Sequence, residues 1–244
     1  MRARDDAGDA VLAELVRELP ALALDEHGRL KLTALVELLA RDPSAPTSVR
    51  EESEAWRVHI ADSLSGLAFD ELATAKRIAD LGAGAGFPGL VLAAALPESQ
   101  VDLIEAARRK CEFAVTAIGH AGTDNARVVC ERSETHAAAT GREAYDAVTA
   151  RAVGRLATLA ELASPLLQTG GAMIAWKGRR DPSEESELIR AEPRTGMSAE
   201  RVLPVGPYAG SRHRHLHLVV KTGPTPADLP RRPGVAKKRP FGSS

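Results

Sequence analysis

The stretch Ile78-Ala79-Asp80-Leu81-Gly82-Ala83-Gly84-Ala85-Gly86-Phe87-Pro88-Gly89 restricts the fold more than any other part of the chain. A short apolar run ends in an acid, glycine then occupies every second position, and a proline follows. Glycine adopts positive φ and carries no side chain, so such a backbone can press against a bound nucleotide. Proline suits a first helical turn, where its missing N–H costs nothing. Strand, tight turn and helix together make the opening unit of a nucleotide-binding α/β sheet.

The surrounding pattern extends that unit. Strands are expected at 77–80, 100–104, 126–130, 144–150 and 172–177, with helical periodicity over 89–96, 108–121 and 154–164 between them. This alternation predicts a parallel, doubly wound sheet. Two further strands, 201–205 and 216–221, are joined by a Gly/Pro-rich connection too short for a helical crossover, so they should pair antiparallel. Ahead of the sheet, amphipathic spacing predicts helices over 9–19, 30–41 and 51–66, the last ending near Gly66. Residues 1–75 are expected to form a helical cap, 76–222 the α/β core and 223–244 a basic C-terminal tail.

Composition narrows the partners. The net charge is -1, yet residues 221–244 concentrate Lys221, Arg231, Arg232, Lys237, Lys238 and Arg239 against the single acid Asp228. A basic tail on a near-neutral body fits phosphate contact, or else a solvated terminus. Cys111 and Cys130 have no CxxC spacing and no ligand neighbours, so they are expected to be buried or incidental thiols of a reducing cytosol, with no metal. No apolar signal core and no membrane-length apolar run occurs, which predicts a cytoplasmic protein away from membranes.

The Gly loop alone leaves two cofactors open. Gly84-Ala85-Gly86-Phe87-Pro88-Gly89 satisfies G-x-G-x-x-G, and Glu105 lies where a dinucleotide site would place its ribose acid. Asp80-x-Gly82-x-Gly84-x-Gly86, however, resembles motif I of class I S-adenosylmethionine-dependent methyltransferases. That resemblance implies a Rossmann-like, seven-stranded sheet with its last strand antiparallel. It also implies that Asp80 helps hold the amino-acid end of the cofactor, that Gly82, Gly84, Gly86 and Phe87 lie against it, and that Glu105 accepts its ribose hydroxyls. Ser133 and Glu134, after the third strand, are placed to wall the adenine.

Arg151 and Lys177 end the fourth and fifth strands and face the ligand crevice. They are expected to act on the substrate, with Arg151 nearer the reacting base and bordering the cofactor. The acceptor is narrowed by absence. Neither cysteine follows proline, as a pyrimidine-C5 nucleophile would, and no Asn/Asp-Pro-Pro-aromatic loop follows the fourth strand. Guanine N7 needs neither device, because it carries no proton to remove.

The chain resembles the RsmG family, also called glucose-inhibited division protein B, the 16S ribosomal RNA guanine-N7 methyltransferases. The likeness rests on His59-Ile60-Ala61-Asp62-Ser63, the Gly loop, Leu103-Ile104-Glu105, Arg109-Lys110 before Phe113, Arg132-Ser133-Glu134, Tyr145 through Ala152, Pro165 through Gly171 with Lys177-Gly178, and Leu229 through Pro240. It implies S-adenosylmethionine as cofactor and 16S rRNA or the small ribosomal subunit as partner. Lys177, Arg214, Arg231, Arg232, Lys237, Lys238 and Arg239 become the expected RNA contacts of a monomer. The family's Trp-Asn pair is absent from the cap, only Thr47 survives of its Asn-Leu-Thr, and its usual second-strand Asp is Glu105. Methylation of another RNA or a small molecule, or a non-catalytic role in ribosome assembly, are the alternative readings.

Overall fold

The computed structural model describes residues 2–18 and 24–242. Two helices, α1 (Arg2–Glu18) and α2 (Glu26–Arg41), open the chain. Leu19, expected as the end of the first, lies outside the described residues. Asp25 starts α2 by accepting the Gly28 N–H, and Leu32, Leu35, Val36 and Leu39 form its buried stripe. A continuous helical run follows: α3 (Glu52–Ala55), a π-helical turn (Trp56–Ala61), α4 (Asp62–Leu64) and a 3-10 turn (Ser65–Ala68), before the short α5 (Asp70–Ala73). Gly66 does not stop this run. A Cβ there would lie 2.3 Å from the Trp176 ring, so the glycine serves close approach to the sheet.

The sheet then builds in chain order. It runs β1 (Arg77–Leu81), α6 (Gly89–Ala95), β2 (Gln100–Ile104), α7 (Arg108–Ala121), β3 (Ala126–Val129), α8 (Ser133–Ala137) and β4 (Tyr145–Arg151). It continues through α9 (Leu156–Ala163), β5 (Leu167–Lys177), α10 (Pro182–Thr195), β6 (Met197–Val205) and β7 (Arg214–Lys221), and α11 (Val235–Lys238) follows. The order is β3-β2-β1-β4-β5-β7-β6, with β7 antiparallel to both neighbours; its pairing with β6 is the one the short connection predicts. One apolar core joins α1, α2 and the Trp56–Leu64 run to α6 and α7 on one face of the sheet. A second core, centred on α9, fills the other face.

The structure departs from the sequence reading at three points. Strand β5, expected over 172–177, starts earlier. The strand begins at Leu167, opposite Tyr145, and Gly170 at φ +87° sits where the pairing with β4 slips register. Helix α10 was not expected, although Asp181 caps it, Pro182 opens it and Gly196 closes it at φ +65°. Cys111 and Cys130 are not free thiols but a disulfide, with Cα atoms 5.8 Å apart. Helix α7 runs back along the sheet, so its first turn lies beside the end of β3 and brings the two sulfurs together. Among the described residues no helix is long and apolar enough to cross a membrane.

Candidate active site

Two cavities open along the carboxyl edge of the parallel strands, the usual ligand edge of such sheets. The first is lined by Leu81 and Gly82 after β1, Ile104 to Ala106 after β2, Glu131 to Glu134 after β3, and Val153, Thr158 and Leu162 around α9. Gly82, Gly84 and Gly86 take φ of +65°, +60° and +94°. A Cβ at Gly82 would approach the Val153 side chain to 2.8 Å, so the glycine lets the loop pack closely there. The loop is tied to the neighbouring strand by the Gly82 and Ala83 N–H groups, both donating to the Ile104 carbonyl. Glu105 accepts from the Gly84 N–H at 3.2 Å and the Ala107 N–H at 2.8 Å. These bonds leave each carboxylate oxygen further lone pairs for a diol. A glycine turn at Gly82, the Glu105 carboxylate and the apolar side chains of Leu81, Ile104, Val153 and Leu162 make a lining whose chemistry fits S-adenosylmethionine.

Asp80 lies beneath this cavity rather than in it. It is fully buried, accepting from the Gly89 N–H at 2.9 Å and from the Thr149 hydroxyl at 3.0 Å. Burial pushes its carboxyl up to about 7, against the opposing pull of those two donors. Asp80 therefore fixes where the loop enters α6. Phe87 is also buried and outside the cavity lining. Its ring stacks on His59 at 4.6 Å with the planes 7° apart, and the Arg151 guanidinium sits 5.8 Å from its centre.

The second cavity lies at the ends of β4 and β5 and the start of β7, lined by Asp62, Arg151, Trp176, Lys177, Arg214 and His215 among others. Arg151 donates to the Val58 carbonyl at 3.0 Å, to Asp62 at 2.9 Å and to His59 Nδ1 at 3.3 Å. Since arginine only donates, Nδ1 accepts, and the remaining ring N–H on Nε2 donates to the Thr47 hydroxyl at 3.0 Å. Burial, and then the Arg151 charge, hold the His59 imidazole down at about 4, so it is neutral at physiological pH. Asp62 also faces Arg214, which bonds to the Tyr208 hydroxyl.

Residues 31–213 match the GidB family, described as rRNA small subunit methyltransferase G. The chain belongs to this family. It is 38% identical over 200 residues to a ribosomal RNA small subunit methyltransferase G of Pelotomaculum thermopropionicum, covering 80% of this chain and 82% of that one. A relative of the same name in Moorella thermoacetica is 31% identical, covering 93% and 89%. Among solved structures, a SAM-dependent methyltransferase from Aquifex aeolicus aligns with a TM-score of 0.52 at 16% identity, covering 78% of this chain and 98% of that one. That likeness concerns the fold alone.

Against this family frame, the structure sorts the expected residues. Gly82, Glu105, Ser133 and Glu134 gather on the first cavity, whereas Asp80, Gly84, Gly86 and Phe87, also expected there, lie outside its lining. Arg151, Lys177 and Arg214 gather on the second. Neither Arg151 nor Lys177 is an uncommitted cation: Lys177 donates to Glu184 at 2.6 Å and to the Gly154 carbonyl at 3.0 Å. The basic segment divides as well. Lys221 is fully buried between Glu143, the Leu167 carbonyl and Thr225. Arg231 makes a two-pronged bond to buried Glu161 at 2.5 Å and stacks on Phe241, so its guanidinium is already engaged within the fold. Arg232, Lys238 and Arg239 remain exposed, and Lys237 borders the first cavity. Gly234 and Ala236, also on that cavity, were not anticipated, because nothing local in the sequence reports a segment folding back about 100 residues.

Proposed function

We propose that this protein transfers a methyl group from S-adenosylmethionine to N7 of a guanosine in small-subunit ribosomal RNA. The observation that carries this reading is the pairing of the two cavities on one sheet edge. One suits the cofactor, and the other is polar and cation-rich, with its carboxylate Asp62 paired to Arg151. The bound cofactor supplies an electrophilic methyl group on a sulfonium. Gly82 and Glu105 hold its adenosine half, Gly84 steadies Glu105 through its N–H, and Asp80 keeps the loop in place through Gly89.

Guanine N7 is already a nucleophile, so the site has to align it and tolerate the positive charge that methylation leaves on the base. Arg214 is the best placed cation for a substrate oxygen, since it is half-exposed at the rim. Arg151, held by Asp62 and His59, orders the wall against which the base would stack, and Asp62 offsets positive charge there. Exposed Arg232, Lys238 and Arg239 suit backbone phosphates. The reading needs no metal and no second subunit, and its substrate is ribosomal RNA, free or within the small subunit, in the cytoplasm.

The test is incubation with radiolabelled cofactor and either small subunits or protein-free small-subunit rRNA, followed by borohydride reduction and aniline scission. One labelled, aniline-labile guanosine is expected. Label at an aniline-resistant position, or none in RNA, overturns the reading.

A further inference from the structure

The segment 229–242 is folded onto the body rather than trailing from it. Leu229, Ala236 and Phe241 are buried, Leu229 and Phe241 packing with Ala157 of α9 and Ala191 of α10. Phe241 lies between two guanidinium groups, Arg194 at 4.3 Å and Arg231 at 4.0 Å. Arg231 is anchored on Glu161, and Arg190 donates to the Gly242 carbonyl at 2.9 Å. Between these anchors the chain crosses the mouth of the first cavity, where Gly234, Ala236 and Lys237 complete its lining.

Glu134 joins that crossing to the β3 side. Its Oε1 accepts the Gly234 N–H at 2.7 Å and its Oε2 accepts the Ser133 hydroxyl at 3.2 Å. Gly234 takes φ +81°, a conformation suited to glycine, so the turn that presents this N–H is built into the sequence. A carboxylate occupied in this way works on the polypeptide.

Given the cofactor assignment made above, we propose that residues 234–237 form a wall of the adenosine half of the cofactor site, and that Glu134 acts as a positioning residue that latches this wall closed. The cofactor affinity then depends on the fraction of molecules with the segment docked. A lesion at Phe241, outside the cavity lining, weakens binding as surely as one at the cavity itself. If undocking leaves one molecule in ten closed, affinity falls about tenfold.

Isothermal titration calorimetry on the full chain tests this with two probes, S-adenosylhomocysteine and 5′-methylthioadenosine, which share the adenosine half. Phe241→Ala should weaken both by a similar factor of about ten. Glu134→Leu should do the same, while Glu134→Gln, which keeps a carbonyl acceptor for the Gly234 N–H, should bind nearly as wild type. Circular dichroism checks that the sheet persists, and the Leu/Gln pair decides the matter if Phe241→Ala does not fold. Wild-type affinity in both Phe241→Ala and Glu134→Leu overturns the latch while leaving the cofactor assignment intact. Equal loss in Glu134→Leu and Glu134→Gln, with Phe241→Ala unaffected, means that Glu134 touches the cofactor directly and also overturns it. Failure of the wild type to bind either probe overturns the cofactor assignment itself.

Discussion

The helical cap and the C-terminal segment flank the same sheet, and each delivers residues to one cavity, but they are attached by different physics. The cap is held by a continuous apolar core running through Leu15, Leu32, Leu35, Leu39, Ile60 and Leu64 into the side chains of α6 and α7. The C-terminal segment is held by three buried apolar side chains and a set of arginine contacts. Apolar burial is additive and non-directional, whereas a few charged anchors act together or not at all. The cap therefore behaves as part of the body, and the C-terminal segment as a separately releasable element.

The largest effect is expected at the cap's polar seam. Arg151→Ala leaves Asp62, 3% exposed, without its closest cation, and should destabilise the protein by about 3 kcal/mol in chemical denaturation. Methylation of RNA should fall by roughly 10²-fold through misplacement of the acceptor, while calorimetric cofactor affinity stays within about threefold. A loss of cofactor binding would move Arg151 to the other cavity and erase the division.

Hydrogen exchange compares the two attachments directly. Amides of Leu32 to Leu39 should exchange only on global unfolding, and those of residues 229–242 at least roughly 30-fold faster through local opening. Equal protection would show that the C-terminal segment is as permanent as the cap.

Titration sharpens the contrast between the seam and the loop beneath the first cavity. The raised Asp80 favours the protonated native state. Its contribution is complete below the unfolded carboxyl value and is lost as the pH rises towards about 7. The depressed His59 contributes fully above the unfolded imidazole value, and its contribution is lost as the pH falls towards about 4. The two oppose each other over the same window. Asp80→Asn should therefore make stability fall more steeply on acidification than in wild type, and His59→Gln should make it fall more steeply as the pH rises. Denaturant midpoints between pH 4 and 7 read both slopes.

The smallest change is expected for Thr47→Ala. It removes the acceptor of the His59 Nε2 proton and should cost about 1 kcal/mol, with cofactor affinity unchanged.

What the sequence made legible followed the range of the interaction involved. The Gly loop, the strand–helix alternation and the antiparallel pairing of β6 with β7 rest on neighbours in the chain, and all were readable. The places of Glu105 and Ser133 at the first cavity were legible too, because each follows a strand of known direction. Helix α10 carried its own start and stop signals at Asp181, Pro182 and Gly196, but the glutamates of its first turns obscured its apolar stripe of Leu188 and Ala191. The disulfide, the Arg151–Asp62 pair and the Arg231–Glu161 pair join residues 19, 89 and 70 positions apart, and no local pattern announces them. The arginines were therefore visible as charges, but not as charges already spent on partners within the fold.

The position of residues 229–242 in the chain gives their docking a place in time. This segment leaves the ribosome after all seven strands, yet Glu161, 2% exposed in the finished fold, takes its cation from it. A nascent chain that has completed its sheet still holds α9 with that carboxylate unmatched and the face of Ala157 and Ala191 uncovered. Closing that gap is a long-range step taken after the sheet is complete, and the segment that takes it is the one that lines the first cavity.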